Sequence, residues 1–291
     1  MNIIKPKLLK KNDTLAIIAP AGVLDRDEFL KGVEFLQNMG FKTKFSEKIF
    51  DVNRYLAGPD DEKVFEIENY FSDKAIDGII CARGGYGSIR LVKKINYDII
   101  KNNPKFFGGY SDITALQLMI LKNSRLITYT SPMVQSDFAK EISEFTKNSF
   151  IDTCVNGKSM VLEGEIIKNG SAEGILWGGN LSTIVSLCGQ DFVPDEDFVF
   201  FAEDLGESVY KIDKMLTQLI NIDKFQTHIK GIVFGEFLDI ENENWLNDLL
   251  LETAKNLNVP AIRNLNITHS KDKLTLPIGK IVKLDRNKLF L

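Results

Sequence analysis

Between residues 14 and 130, short apolar runs alternate with stretches whose apolar residues recur every three or four positions. This alternation restricts the chain to few folds. Residues 14–19 read as a buried strand, and 25–39 carry Phe29, Val33 and Leu36 at helical spacing before a stop at Gly40. Residues 41–45 alternate as a strand, 61–71 read as a helix, 77–82 as a strand, 88–95 as a helix and 126–130 as a further strand. Strands spaced by helices imply βαβ units and a mostly parallel sheet. Such sheets bind ligands beyond the carboxyl ends of their strands. Two glycine-rich turns, 84–87 and 108–109, fall at such ends.

Past Pro132 the periodicity loosens. Residues 140–151 fit one helix, and 156–171 form a polar connector with a short strand inside. The expected organisation is an N-terminal domain over 1–150, a linker over 151–171 and a C-terminal domain over 172–291. The last mixes helices (181–187, 210–220, 244–256) with strands (198–202, 230–237). It closes in a hairpin, 280–284 with 288–291, turned by Asp285-Arg286-Asn287.

Over 291 residues the net charge is −4, which leaves no surplus of cations for phosphates, so nucleic acid is not an expected partner. No apolar run has the length of a signal-peptide core or a membrane span, and a cytoplasmic protein without membrane association is expected. Cys81, Cys154 and Cys188 are isolated and odd in number, which suits buried small hydrophobes in a reducing compartment.

The segment richest in chemistry is Gly108-Gly109-Tyr110-Ser111-Asp112-Ile113-Thr114, followed by a helix-like run over 115–120. A serine at a glycine-flanked turn from strand to helix is lifted clear of the backbone. The helix start behind it turns N–H groups toward developing negative charge. Ser111 equally suits a helix N-cap, and the segment matches only half of G-x-S-x-G because Ile113 takes the second glycine position. Arg83-Gly84-Gly85-Tyr86-Gly87-Ser88 is a second turn of this kind. It is not G-x-G-x-x-G and no acid follows for a ribose, which argues against a dinucleotide. Its glycines permit close approach of a ligand to the backbone, and their N–H groups suit half of an oxyanion hole.

The apolar run 198–202 leads into Glu203-Asp204. Glu203 continues the Val199/Phe201 face, with Glu207 a less constrained alternative, and a carboxylate there can accept from an imidazole N–H. The chain has two histidines. His228 precedes a strand without a neighbouring glycine or acid motif. His269 sits in a polar loop ahead of Thr275-Leu276-Pro277-Ile278-Gly279 and is the better base for Ser111. A Ser–Lys dyad is the alternative that spacing leaves open. Metal-ligand spacings of histidine or cysteine are missing from the sequence, so neither a metal nor another cofactor is expected.

Taken in order, these segments resemble the LD-carboxypeptidase family of serine peptidases, which includes the microcin-immunity peptidases. The matching pieces are Ile17-Ile18-Ala19-Pro20-Ala21-Gly22, Arg54-Tyr55-Leu56-Ala57-Gly58, the Arg83 and Ser111 turns, Leu176-Trp177-Gly178-Gly179-Asn180-Leu181, Glu203-Asp204 with Glu207 and Asp213, and His269 with residues 275–279. They cover nearly the whole chain.

The resemblance implies an α/β fold with a flavodoxin-like, mostly parallel sheet domain. A second, smaller α/β domain would contain a mixed sheet or barrel-like element, with the site in the groove between the two and a homodimer as the assembly. It implies a triad of Ser111 as nucleophile, His269 as base and then acid, and Glu203 orienting the histidine. The oxyanion hole would come from the N–H groups of Gly85 and Asp112, with Arg83, Gly84 and Tyr86 placed to bind substrate. The implied reaction needs no metal and releases terminal D-alanine from cytoplasmic murein tetrapeptides during cell-wall recycling. Thr130-Ser131-Pro132 stands where relatives often carry His-Gly-Pro or Ser-Gly-Pro, and Gly189-Gln190 replaces a usual Gly-Thr. Both departures bear on the shape of the groove and spare the triad. Three rivals remain: a microcin-immunity-type amidase acting on a peptidyl-adenylate, a non-catalytic muropeptide-binding protein, and a nucleotide-binding protein using the 84–87 turn.

Overall fold

The computed structural model of the chain describes residues 2–267, 269 and 271–291. Its first part runs β1 (Thr14–Ile18), α1 (Arg26–Asn38), β2 (Lys42–Lys44), β3 (Val52–Asn53), β4 (Leu56–Ala57), α2 (Asp60–Ser72) and β5 (Gly78–Cys81). It continues with α3 (Tyr97–Asn102), β6 (Phe106–Gly109), α4 (Thr114–Ser124), β7 (Thr128–Thr130) and α5 (Glu144–Cys154). The second part opens with β8 (Val161–Glu163), β9 (Glu165–Lys168), β10 (Ser171–Asn180), α6 (Leu181–Ser186), β11 (Phe198–Leu205), α7 (Val209–Ile220) and α8 (Asp223–His228). It ends with β12 (Ile229–Leu238), α9 (Glu243–Asn256), β13 (Ala261–Leu265), β14 (Leu276–Ile278), β15 (Ile281–Asp285) and β16 (Lys288–Phe290).

The first sheet has the order β14-β7-β6-β5-β1-β2. The five strands from β2 to β7 are parallel, and taken in chain order they run 2-1-3-4-5, the flavodoxin-like arrangement, whose ligand crevice lies where the order reverses. Helices cover both faces, so β5 and β6 are buried throughout and read as continuous apolar or glycine runs. The edge strand β2 is Lys42-Thr43-Lys44, whose lysines discourage further pairing.

The second sheet has the order β8-β16-β15-β10-β11-β12-β13-β9, with β10 to β13 parallel and the outer strands antiparallel. Gly164 alone separates β8 from β9 in the chain, yet these are the two outermost strands. The sheet therefore curls until its edges meet, a barrel-like closure. These two strands lie within the stretch expected to hold one short strand.

The lobes share one continuous apolar core. One face of the first sheet, with α2, α3 and α4, packs into the same cluster as Trp177, Phe198, Phe200 and Phe225 of the second lobe. Helix α4 is buried on almost every side, which explains its lack of a polar face: it lies between the first sheet and β10 with α6. Polar ties reinforce the seam. The Asn180 N–H donates to Thr114 Oγ1 (3.2 Å), Lys122 Nζ donates to the Val193 carbonyl (2.9 Å), and Arg125 pairs with Glu196.

Late in the chain, β14 returns to the first sheet, antiparallel to β7, with Leu276 opposite Thr130. Helix α5 receives this segment on a row of hydroxyls. Thr146 Oγ1 accepts from the Lys273 N–H (2.8 Å), Ser149 Oγ accepts from the Thr275 N–H (2.9 Å), and Thr153 Oγ1 donates to the Thr275 carbonyl (3.1 Å).

Local departures from the sequence reading have physical causes. The helix expected over 88–95 is a single 3-10 turn, Ser88–Arg90, whose first N–H is capped by the Asp112 carboxylate (2.8 Å); beyond it Lys94 and Ile95 both donate to the Leu91 carbonyl, so no regular ladder continues, and a new helix starts only at the Asn96 cap. The helix expected from 140 begins after Ser143, whose hydroxyl accepts from the Thr146 N–H (3.2 Å). Strand β11 runs on to Leu205, so Glu203 and Asp204 lie inside it rather than beyond its end. Cys81 and Cys154 are buried, whereas Cys188 is only half-buried, since α6 has just two buried positions, Leu181 and Ile184, and Cys188 follows its end.

Candidate active site

Strand β6 ends at Gly109, Tyr110 is extended (φ −153°, ψ −172°), and a 3-10 turn over Ser111–Ile113 leads straight into α4. So abrupt a change of direction leaves Ser111 in the left-handed region, with φ +63°. A side chain there is strained, and the surrounding structure has to impose it. Gly84 faces it: a Cβ at 84 would lie 3.2 Å from Ser111 Oγ and 3.1 Å from its Cβ. Glycine at 84 leaves the hydroxyl its space.

Asp112 is buried, and its Oδ2 accepts from the Ser88 N–H at 2.8 Å. Burial pushes its carboxyl above the usual range, although the donors at Ser88 and Gly87 pull the other way. This bond pins the 84–88 turn to the Ser111 elbow. Gly84 and Gly85 thereby enter the wall of a cavity of about 420 Å³ that Ser111 and His269 also line. The Asp112 N–H belongs to the first helical turn, where no intrahelical acceptor exists.

His269 follows β13 in the sequence; its neighbours Thr268 and Ser270 lie outside the described residues. Its Nδ1 is 2.7 Å from Glu203 Oε2, and the Glu203 side chain is fully buried while that of His269 is 15% exposed. Glu203 sits where the register of β11 on β12 shifts, between Ala202 and Asp204. Irregularities of this kind re-aim side chains near functional sites. With Nδ1–H donated to the carboxylate, Nε2 carries the basic lone pair. Burial alone would lower the imidazole's pKa, but the bond and charge of Glu203, helped by Asp204 and opposed by Lys273, hold it above the ordinary histidine value. The Tyr110 ring stands edge-on to the imidazole, centroids 5.3 Å apart at 77°.

The other sequence candidates divide. Arg83 lines the cavity, with Nη1 donating to the Val23 carbonyl (3.0 Å). Tyr86 lies outside the cavity wall, and its exposed ring meets Tyr55 at 5.8 Å. Glu207 pairs with Lys211 (3.1 Å) rather than with histidine. Asp204 accepts from Asn180 Nδ2 and the Ser182 N–H, both at 2.9 Å, and so anchors the start of α6. His228 ends α8 and contacts Asp197 (3.2 Å), away from Ser111. Asp137, Lys140, Thr146, Lys271 and Lys273 also line the cavity and were not singled out from the sequence. No local pattern marks them: Asp137 lies in the mixed run Val134-Gln135-Ser136-Asp137-Phe138.

Among known proteins, residues 15–131 match the LD-carboxypeptidase N-terminal domain and residues 173–284 the LD-carboxypeptidase C-terminal domain. A probable murein peptide carboxypeptidase of Bacillus subtilis (strain 168) is 33% identical, over 94% of this chain and 89% of its own length. An MccF-like protein from Bacillus anthracis str. Ames superposes with a TM-score of 0.91 at 26% identity, covering 99% of both chains. The muramoyltetrapeptide carboxypeptidase from Oxalobacter formigenes does so at 0.87 and 27% identity, over 95% of this chain and 97% of that one. With both domains matched in order and a relative a third identical along nearly its full length, the chain belongs to the LD-carboxypeptidase family.

Proposed function

We propose that this enzyme is a cytoplasmic serine carboxypeptidase that cleaves the L,D-amide of murein tetrapeptides and releases terminal D-alanine for cell-wall recycling. The observation that carries this reading is Ser111 on a left-handed elbow, lining one cavity with a histidine whose Nδ1 is held by the buried Glu203. Ser111 Oγ attacks the scissile carbonyl carbon and its proton passes to His269 Nε2. The oxyanion forms toward the N–H groups of Gly85 and Asp112. His269 then protonates the nitrogen of D-alanine, the C–N bond breaks, and an acyl-enzyme remains. Water, deprotonated by His269, attacks the ester; the C–O bond breaks and the proton returns to Ser111. With Lys273 paired to Asp137, Arg83, Lys140 and Lys271 outnumber the remaining carboxylate of the cavity, Glu141, which suits a substrate ending in a carboxylate. Relatives named for murein peptides support the same substrate class.

The test is mass spectrometry of a murein tetrapeptide incubated with the pure protein, no metal added. The expected product has lost one alanine. The close superposition on an MccF-like protein makes a peptidyl-adenylate the second substrate to assay. An intact tetrapeptide beside a cleaved adenylate would replace this reading with that of an immunity-type amidase.

The charge environment of His269 sets a pH dependence. A base acts when neutral, and its pKa is raised here, so kcat/KM should fall on the acid side through a midpoint above the ordinary histidine value of about 6.5. A pH–rate profile whose acid limb lies below pH 6 would contradict the bond between His269 and Glu203.

A further inference from the structure

Two residues outside the hydrolytic scheme join the nucleophile's side of the cavity to the base's side. Asp137 lies in a single π turn, Val134–Phe138, and is 7% exposed. It accepts from the Met133 N–H (2.8 Å), from the Tyr110 hydroxyl (3.3 Å) and from Lys273 Nζ (3.1 Å). Lys273 is four residues beyond His269, its side chain is 13% exposed, and its ammonium stands 5.7 Å from the centre of the Tyr110 ring. That ring is the one set edge-on to the His269 imidazole. One carboxylate therefore grips both the residue next to the nucleophile and the loop that carries the base.

The pair also joins opposite charges 3.1 Å apart. The Lys273 ammonium disfavours the charged imidazole, and a carboxylate paired with that ammonium acts in the opposite sense, offsetting part of its effect. Burying two charges forfeits hydration, and apolar residues would often serve stability as well, which points to a role beyond stability.

We propose that Asp137 and Lys273 are positioning residues that clamp the His269 loop onto the Ser111 elbow and balance the charge the imidazole experiences. This inference rests on reading Ser111 and His269 as nucleophile and base, but the charge balance is measurable without turnover. The groups facing His269 are Glu203 and Asp204 on β11, Tyr110 at the elbow and Lys273 on its own loop, with Arg83, Lys140, Glu141 and Lys271 elsewhere in the cavity wall.

The experiment is an NMR titration of the imidazoles in the full chain, with a His228→Gln background identifying the His269 signal. Asp137→Asn removes the carboxylate that offsets the ammonium and should move the His269 midpoint down by roughly half a pH unit or more. Lys273→Met leaves the carboxylate uncompensated and should move it up by about as much. The double variant should return near the starting value, and Lys273→Arg, which keeps the charge, should hold it there. In turnover, the two single variants should lose about tenfold in kcat with KM changed less, because the lost interaction orients the base rather than binding substrate. Their acid limbs should shift in opposite directions. Should Asp137→Asn fail to fold, Lys273→Met against Lys273→Arg decides the matter. Midpoints that stay put, or that move the same way in both single variants, overturn the proposal, whether or not the protein releases D-alanine.

Discussion

Replacing Ser111 with alanine should lower kcat/KM for D-alanine release by about 10⁴–10⁶-fold, by analogy with serine-protease triads. The loss should come with little change in thermal stability, because alanine keeps the backbone in the same left-handed conformation, φ +63°. What disappears is the hydroxyl proposed to attack, while the cavity persists. His269→Ala should fall into the same range, since nucleophile and base act as one unit. A Ser–Lys dyad drawing on Lys271 or Lys273, both in the cavity wall, would instead leave the histidine variant active. Steady-state kinetics on the two purified variants, with unfolding curves alongside, settles both points. Turnover by Ser111→Ala at the wild-type rate would remove the serine mechanism.

The second large effect concerns stability. Gly178→Ala should destabilise the protein by about 3–5 kcal/mol, in the range seen where steric overlap and forced backbone geometry combine. Gly178 has φ +149°, and a Cβ there would lie 1.8 Å from the Phe201 carbonyl oxygen and 2.8 Å from its carbon. Those are backbone atoms of β11, the strand paired with β10 at this point, so no flexible side chain can yield. Relief requires the two strands to separate, two residues before Glu203. A variant that still folds should therefore also lose activity through a displaced carboxylate. Gly189→Ala is the control: φ is +96° but nothing lies within 4 Å of the added Cβ, so only the left-handed penalty of about 1–2 kcal/mol is expected. Denaturant midpoints for the two variants measure the contrast, and equal midpoints would refute the close approach of β10 to β11.

Much of this was legible before the structure. The first sheet's strands followed from apolar runs because both faces are covered, so β1, β5 and β6 carry little polar interruption. The serine stood out because glycines flank it, and the histidine because the chain has only two. What resisted reading was whatever depends on partners distant in sequence. Residues 88–95 have helical spacing but close only one 3-10 turn, whose Ser88 N–H is held by Asp112, twenty-four positions on. Asp137 carries no local signature, since its significance comes from Lys273 and Tyr110, which the fold alone brings to it. The barrel-like element of the second sheet was expected only through the family resemblance, because no periodicity marks β8 and β9 as opposite borders.

One architectural detail has a wider consequence. Leu276–Ile278 complete the first sheet from the far end of the chain, and Thr146, Ser149 and Thr153 grip the residues leading into it. The halves are thus not interchangeable modules. A chimaera taking its first half from this protein and its second from a homologue would graft a foreign border strand onto β7 and misalign the imidazole just upstream. An active chimaera should therefore need the first half and this returning segment from one parent, which the activity of chimaeras exchanged with and without residues 273–278 would measure.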